Sequence, residues 1–126
     1  YLLIKTKNKI ISIDNYSSGS VNNHIKDKRI KYINSDTNNI AKKLGKFKKK
    51  IKVVFHFGEF ARIHQSFINT KDCFSSNISG TSNVFYFCLK NKIKIIYSAT
   101  SASLGNKGSD QSLSPMPLPN QKIYNY

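Results

Sequence analysis

Four short runs rich in Ile, Val, Tyr and Phe punctuate the chain, at residues 9–14, 29–34, 52–57 and 94–98. Such density of β-branched and aromatic residues predicts strands. The first run ends on Asp14 and meets turn chemistry in Asn15-Tyr16-Ser17-Ser18-Gly19-Ser20. The second alternates and is followed by Asp36, the third is almost continuously apolar and stops at Gly58, and the fourth stops at small hydroxyl residues. Between them lie segments of helical period: 37–46, a short turn near 60–67, and a long one over about 73–91. In the long segment Phe74, Ile78, Thr81, Phe85, Cys88 and Leu89 recur at spacings of three and four, which assigns them to one face. Strands separated by helices imply a parallel sheet covered on both faces, so the expected class is α/β with a doubly wound parallel sheet.

Composition changes this picture little. The formal charge of +15 would ordinarily point to a polyanionic partner. The basic residues, however, are almost all Lys scattered among Asn and Ile, so a solvated basic surface is expected and no nucleic-acid partner. Only Lys42, Lys43, Lys46 and Lys48-Lys49-Lys50 cluster, before the third strand, where cations suit a helix C-terminus. Cys73 and Cys88 have no second pair and no His at ligand spacing, so buried free thiols are expected, with no metal site. No apolar run approaches the roughly 20 residues that cross a bilayer, and no signal-peptide pattern opens the chain. A soluble cytoplasmic protein without a membrane partner is expected. The opening on Tyr1 and the stop at Tyr126 read as cuts in a longer sequence.

In doubly wound folds, ligands bind outside the carboxyl ends of the strands, and here those ends carry motifs. Asp14-Asn15-Tyr16-Ser17-Ser18-Gly19 follows the first strand and Ser35-Asp36-Thr37 the second. The third runs through His56-Phe57-Gly58-Glu59 toward Ser66, the long helical segment contains Asn77-Ile78-Ser79-Gly80-Thr81, and the fourth strand leads into Ser98-Ala99-Thr100-Ser101-Ala102-Ser103-Leu104-Gly105. A Pro-rich stretch, 115–119, then precedes Tyr124 and Tyr126. Taken singly, each has a plainer account: Asp14 as a solvated strand end, Asp36 as a helix N-cap, His56 as a packed strand residue, and 98–103 as an ordinary hydroxyl-rich loop.

As a series, these motifs resemble the NAD-dependent epimerase/dehydratase family, the extended short-chain dehydrogenases/reductases, with nucleotide-sugar epimerases closest in pattern. The resemblance implies a Rossmann-like fold, with residues 1–126 forming a partial NAD-binding domain from its second strand to its catalytic tyrosine. The first strand and its G-x-x-G-x-x-G turn are expected to be missing. It implies NAD rather than NADP as cofactor, since no basic residue follows Asp14 to seat a 2′-phosphate. Asp14 and Asn15 would bind the adenosine ribose, Asp36 and Thr37 the adenine, and Phe57, Gly58 and Glu59 the pyrophosphate side and nicotinamide ribose. Asn77 would hold the cofactor and neighbouring backbone, and Ser98 would add a further cofactor contact. Ser35, Glu59 and Leu104 stand where the family usually has Gly, a small residue and Tyr.

By the same resemblance Thr100 and Tyr124 are catalytic, with the paired Lys at position 128; Tyr126 is the alternative, with its Lys at position 130. A free phenol loses its proton near pH 10, and a neighbouring ammonium and the nicotinamide cation lower that value enough for a general base. The implied reaction is hydride transfer at C4 of a nucleotide sugar, giving a transient 4-keto sugar, in an intact protein that is a homodimer. The isolated 126 residues are expected to be inactive and to bind NAD weakly or not at all. A non-catalytic sensor or scaffold of the same fold and a 4-keto-sugar reductase are the alternatives.

Overall fold

In the computed structural model, which describes residues 5–98, strand β1 (Ile10–Asp14) pairs in parallel with β2 (Ile30–Asn34). Ile11 lies opposite Lys31, Ile13 opposite Ile33, and Asp14 opposite Asn34. A second pair joins β3 (Val53–His56) to β4 (Lys94–Tyr97). All four expected strands are therefore present, each within a residue or two of its predicted limits. The compact unit runs to Ile96; beyond it only Tyr97 and Ser98 are described.

The segment after β2 begins with a 3-10 turn, Thr37–Asn39, passes into α1 (Ile40–Leu44) and ends in a second 3-10 stretch, Gly45–Lys50. Asp36 caps it: its carboxylate accepts from the Asn38 backbone N–H, the plainer role expected of it. Between β3 and β4 come α2 (Ile63–Ile68), α3 (Thr70–Phe74), a π-helical turn Ser75–Gly80, and α4 (Thr81–Lys90). The last helix stops in a Schellman arrangement. The Lys92 N–H bonds the Leu89 carbonyl, the Ile93 N–H bonds the Cys88 carbonyl, and Lys92 takes the left-handed φ of 54° that glycine usually supplies there.

The core is the cluster Ile40, Leu44, Val84, Phe87, Cys88 and Ile93, against which Ile11, Ile13, Ile33, Val54 and Ile95 pack. Fully burying a side chain such as Val84 or Phe87 contributes about 1.5–3 kcal/mol, so α1 and α4 are held mainly by this seam. Its period departs from the expected helix face. Gly80, Val84, Phe87 and Cys88 are buried, whereas Phe74, Ile78, Phe85 and Leu89 are exposed, Leu89 by 78%. The core instead takes the other side of the segment: the buried set also recurs at spacings of three and four, and of the expected face only Cys88 belongs to it.

The sheet is incomplete among the described residues, as expected of one without its first strand. The strands form two separate pairs, and no described strand bonds the outer edges of β1 or β3. The sheet is also not covered on both faces by the described helices: α1 and α4 share one core, while Phe55, pointing the other way on β3, stays 41% exposed.

Candidate functional site

The carboxyl ends of β1, β2 and β3 open onto one groove of about 630 Å³. Asp14, Asn15, Asp36, Thr37, Phe57, Gly58 and Glu59, each singled out from sequence, all line it. The parallel register sets Asp14 beside Asn34, and the next residues carry Asp36 to the same rim; Ser35 N–H bonds the Asp14 carbonyl at 3.0 Å and continues the ladder.

The loop after β1 is built from side chains that fold back on their own backbone. Asp14 Oδ1 accepts the Tyr16 N–H at 2.8 Å, and Asn15 Oδ1 accepts the Ser17 N–H at 3.0 Å. These turns carry Tyr16 at a φ of 56°, a left-handed conformation that costs a non-glycine residue about 1 kcal/mol. The Tyr16 ring is then fixed: its hydroxyl lies 2.8 Å from His24 Nε2, and the His24 ring stacks on Tyr32 at 3.7 Å. Gly19 crosses within van der Waals distance of the Asp14 carboxylate, where a Cβ would sit 3.4 Å from Oδ2.

Asn15 also reaches the neighbouring acid, its Nδ2 donating to Asp36 Oδ2 at 3.3 Å. Asp36 Oδ1 accepts from both the backbone and the side-chain amide of Asn38, each at 2.7 Å. The turn is braced from behind by the long helix, because Gly80 presses against it so closely that a Cβ there would overlap the Thr37 hydroxyl.

On the other side of the groove, Asn77 places both ends of its amide on one residue. Its Oδ1 accepts the Phe60 N–H at 2.6 Å and its Nδ2 donates to the Phe60 carbonyl at 2.9 Å. Asn77 thus secures the loop after β3, the neighbouring-backbone part of its expected role. Gly58 in that loop needs no special φ, and a Cβ there would meet no atom of the described residues within 4 Å.

Glu59 points toward α4, where Thr81 Oγ1 donates to its Oε1 at 3.1 Å, and the same hydroxyl lies 2.9 Å from His56 Nε2. His56 is only 4% exposed; burial lowers its pKa and the charge of Glu59 raises it less, so the ring is a packed, hydrogen-bonded strand residue. Four of the chain's six acids, Asp14, Asp36, Glu59 and Asp72, line the groove, with Arg62 the one basic side chain among its lining residues. A chain of net charge +15 therefore offers an acceptor-rich, locally acidic groove, suited to hydroxyl and amino donors and unsuited to an extra phosphate.

Ser98 is half-buried directly after β4, and Thr100, Tyr124 and Tyr126 lie outside the described residues. Gln65, Asn69 and Asp72 line the groove without having been foreseen, and Asn38 supports it through Asp36. Asn38 alone left a trace, as an amide two residues after a capping acid. Both cysteines are free, Cys88 buried and Cys73 half-buried, and no group of His, Cys, Asp or Glu among the described residues could hold a metal. No described helix is long and apolar enough to cross a membrane.

Known proteins share this architecture. No curated protein matches the chain. Among solved structures, it resembles a UDP-N-acetylglucosamine 4-epimerase from Methanobrevibacter ruminantium M1, in complex with UDP-N-acetylmuramic acid, at 30% identity and a TM-score of 0.74. That likeness covers 89% of this chain and 37% of the other, so the chain spans little more than a third of that relative's length. A UDP-glucose 4-epimerase from Stenotrophomonas maltophila with bound NAD and formylated UDP-arabinopyranose shares the fold at 16% identity and a TM-score of 0.72, over 85% of this chain and 34% of its own. The UDP-glucose 4-epimerase of Thermus thermophilus, in complex with NAD, does so at 18% identity and 0.70, over 86% and 36%. The fold is accordingly Rossmann-like α/β, and the family described as NAD dependent epimerase/dehydratase matches over residues 1–126. The chain belongs to the NAD-dependent epimerase/dehydratase family.

Proposed function

We propose that these residues carry the adenosine half of an NAD site in a nucleotide-sugar epimerase or dehydratase that transfers hydride at sugar C4 through a 4-keto intermediate. The convergence of Asp14, Asp36 and the unobstructed Gly58 on one groove carries this reading. Carboxylates accept and cannot donate. They therefore suit ribose hydroxyls at Asp14 and the adenine amino group at Asp36, with Thr37 beside the base. Asn15 serves this subsite by tying the two acids together. Phe57, Gly58 and Glu59 would border the pyrophosphate and nicotinamide ribose, on a loop that Asn77 fixes, and Ser98 would add a cofactor contact after β4.

When bound, the dinucleotide supplies a reversible hydride acceptor. The chain's own part is acid–base chemistry: the Thr100 hydroxyl bonds the reacting sugar oxygen, and Tyr124 takes its proton, with a Lys at position 128 to lower the phenol's pKa. Tyr126 with a Lys at position 130 is the alternative. Residues 1–126 are in this reading part of the NAD-binding domain of a longer, cytoplasmic protein. The edges of β1 and β3, which pair with no described strand, support a further strand between them, bearing the glycine-rich turn. The exposed stripe of Phe74, Ile78, Phe85 and Leu89 supports a second copy of the protein as partner.

The test is turnover. Full-length protein given NAD and UDP-sugars should yield the C4 epimer or a dehydrated 4-keto product by NMR. Thr100→Ala and Tyr124→Phe should each lower kcat by roughly 10²- to 10⁴-fold. Stoichiometric consumption of reduced cofactor would make the protein a 4-keto-sugar reductase instead. A reading frame with no Lys at 128 or 130, and no turnover, would make it a non-catalytic sensor.

A further inference from the structure

We propose that Asn38, one residue beyond the Ser35-Asp36-Thr37 motif, is a positioning residue that decides which oxygen of Asp36 reads the ligand and so sets the site's preference for an amino group on the base. The inference rests on the proposed function, in which Asp36 faces an adenine.

Lone pairs decide the matter. Each carboxylate oxygen can accept about two hydrogen bonds. Asp36 Oδ1 already holds two, both from Asn38, at 2.7 Å from the backbone nitrogen and 2.7 Å from Nδ2. Its acceptor capacity is full. Asp36 Oδ2 holds one long bond, 3.3 Å from Asn15 Nδ2, and keeps an acceptor site on the groove that Asp36 lines. An incoming donor therefore meets Oδ2.

The Asn38 amide is itself locked from the far side. Its Nδ2 also lies 3.2 Å from the Ser75 carbonyl and 3.2 Å from the Ser75 hydroxyl, and its Oδ1 accepts from Asn83 Nδ2 at 3.0 Å. Rotating the amide would break bonds at both ends, so Asn38 hands the orientation of α4 and the π turn on to the carboxylate. A cap bond from the backbone N–H alone leaves the carboxyl group free to swing about its own axis. The second bond removes that freedom.

A carboxylate held this way accepts well from a 6-amino group and poorly from a 6-oxo group. The experiment compares binding of NAD with that of its hypoxanthine counterpart by the full-length protein, for the unsubstituted chain and for Asp36→Ala, Asn38→Ala and Asn83→Ala. The expected result is a clear preference for NAD that Asp36→Ala abolishes. Asn38→Ala should shrink it roughly three- to ten-fold, since one charge-assisted hydrogen bond loses its alignment without being removed, with the effect in KM rather than kcat. Asn83→Ala should shrink it about two-fold by releasing only the outer end of the amide. A general structural weakening would lower affinity for both dinucleotides alike and leave their ratio unchanged, which would overturn the inference. If Asp36→Ala also leaves the ratio unchanged, Asp36 does not read the base, and the underlying functional reading fails instead. Should Asn38→Ala not fold, Asn83→Ala decides: a reduced ratio supports the inference and an unaltered one overturns it.

Discussion

Asn77→Ala removes the clamp that fixes the loop after β3. The amide makes two bonds to the half-buried backbone of Phe60, at 2.6 and 2.9 Å. A hydrogen bond of this kind contributes about 1 kcal/mol net, and more when its loss leaves a desolvated partner unsatisfied. Truncation should therefore cost about 2–3 kcal/mol, or roughly 30- to 150-fold in the folding equilibrium. Asn77→Asp is the sharper probe. The introduced carboxylate can still accept from the Phe60 N–H, but its second oxygen is turned on the Phe60 carbonyl, acceptor against acceptor. It should be at least as damaging as Ala at neutral pH. It should recover part of the loss in acid, where a protonated carboxyl can donate again: a folded pKa raised above the unfolded value gives stability at low pH that disappears as pH rises. Urea denaturation of the full-length protein should show a lower midpoint with an unchanged slope. An unshifted midpoint for both variants, or an Asp variant as stable as the parent at pH 7, would refute the clamp.

Gly80→Ala should destabilise by about 1–3 kcal/mol through overlap with the Thr37 hydroxyl, and Thr37→Ala in the same chain should restore most of it; additive costs in the double variant would count against this. Lys92→Gly should gain about 0.5–1 kcal/mol by relieving the left-handed φ in the Schellman turn, read as a higher denaturation midpoint, and no gain would mean the conformation is not strained. His56 has a lowered pKa in the fold, so the unfolded chain takes up its proton first: this contribution is complete above about pH 6.5 and falls away as pH drops below it. Midpoints measured through that window should fall less steeply in His56→Gln, and parallel profiles would exclude the residue as the cause. Burial raises the pKa of the Cys88 thiol, so a thiol-exchange reagent should label half-buried Cys73 first and reach Cys88 mainly on unfolding; equal native-state rates would contradict the packing.

Strand identity is written locally in this chain. Ile10-Ile11, Ile30, Val53-Val54 and Ile95-Ile96 are β-branched runs, and the motifs that end them mark the groove. The helix phase is not written locally. Two apolar stripes share the segment, Phe74, Ile78, Phe85 and Leu89 on one side and Val84, Phe87 and Cys88 on the other, and which of them meets the core answers to tertiary contacts, Asn77 on Phe60 and Gly80 on Thr37, that no window of sequence contains. Continuity of the sheet is likewise non-local, since the edges of β1 and β3 pair with no described strand. Side-chain partners escaped for the same reason: Asp14 and Asp36 can be read singly, whereas the bridge through Asn15 and the brace through Asn38 exist only once β1, β2 and the long helix are side by side.

The π turn has a consequence for how this helix can change over time. Its first half is keyed to the loop at Phe60 and its second half to the core at Val84, Phe87 and Cys88, and the wide turn sits where the two meet. Deleting one residue from Ser75–Gly80 would give a more regular helix, yet it would turn one half by about 100° away from its lock. Regularity and double engagement are therefore alternatives for this segment. A single-residue length change here should be tolerated less well than most substitutions, whereas either half can drift in sequence without consulting the other.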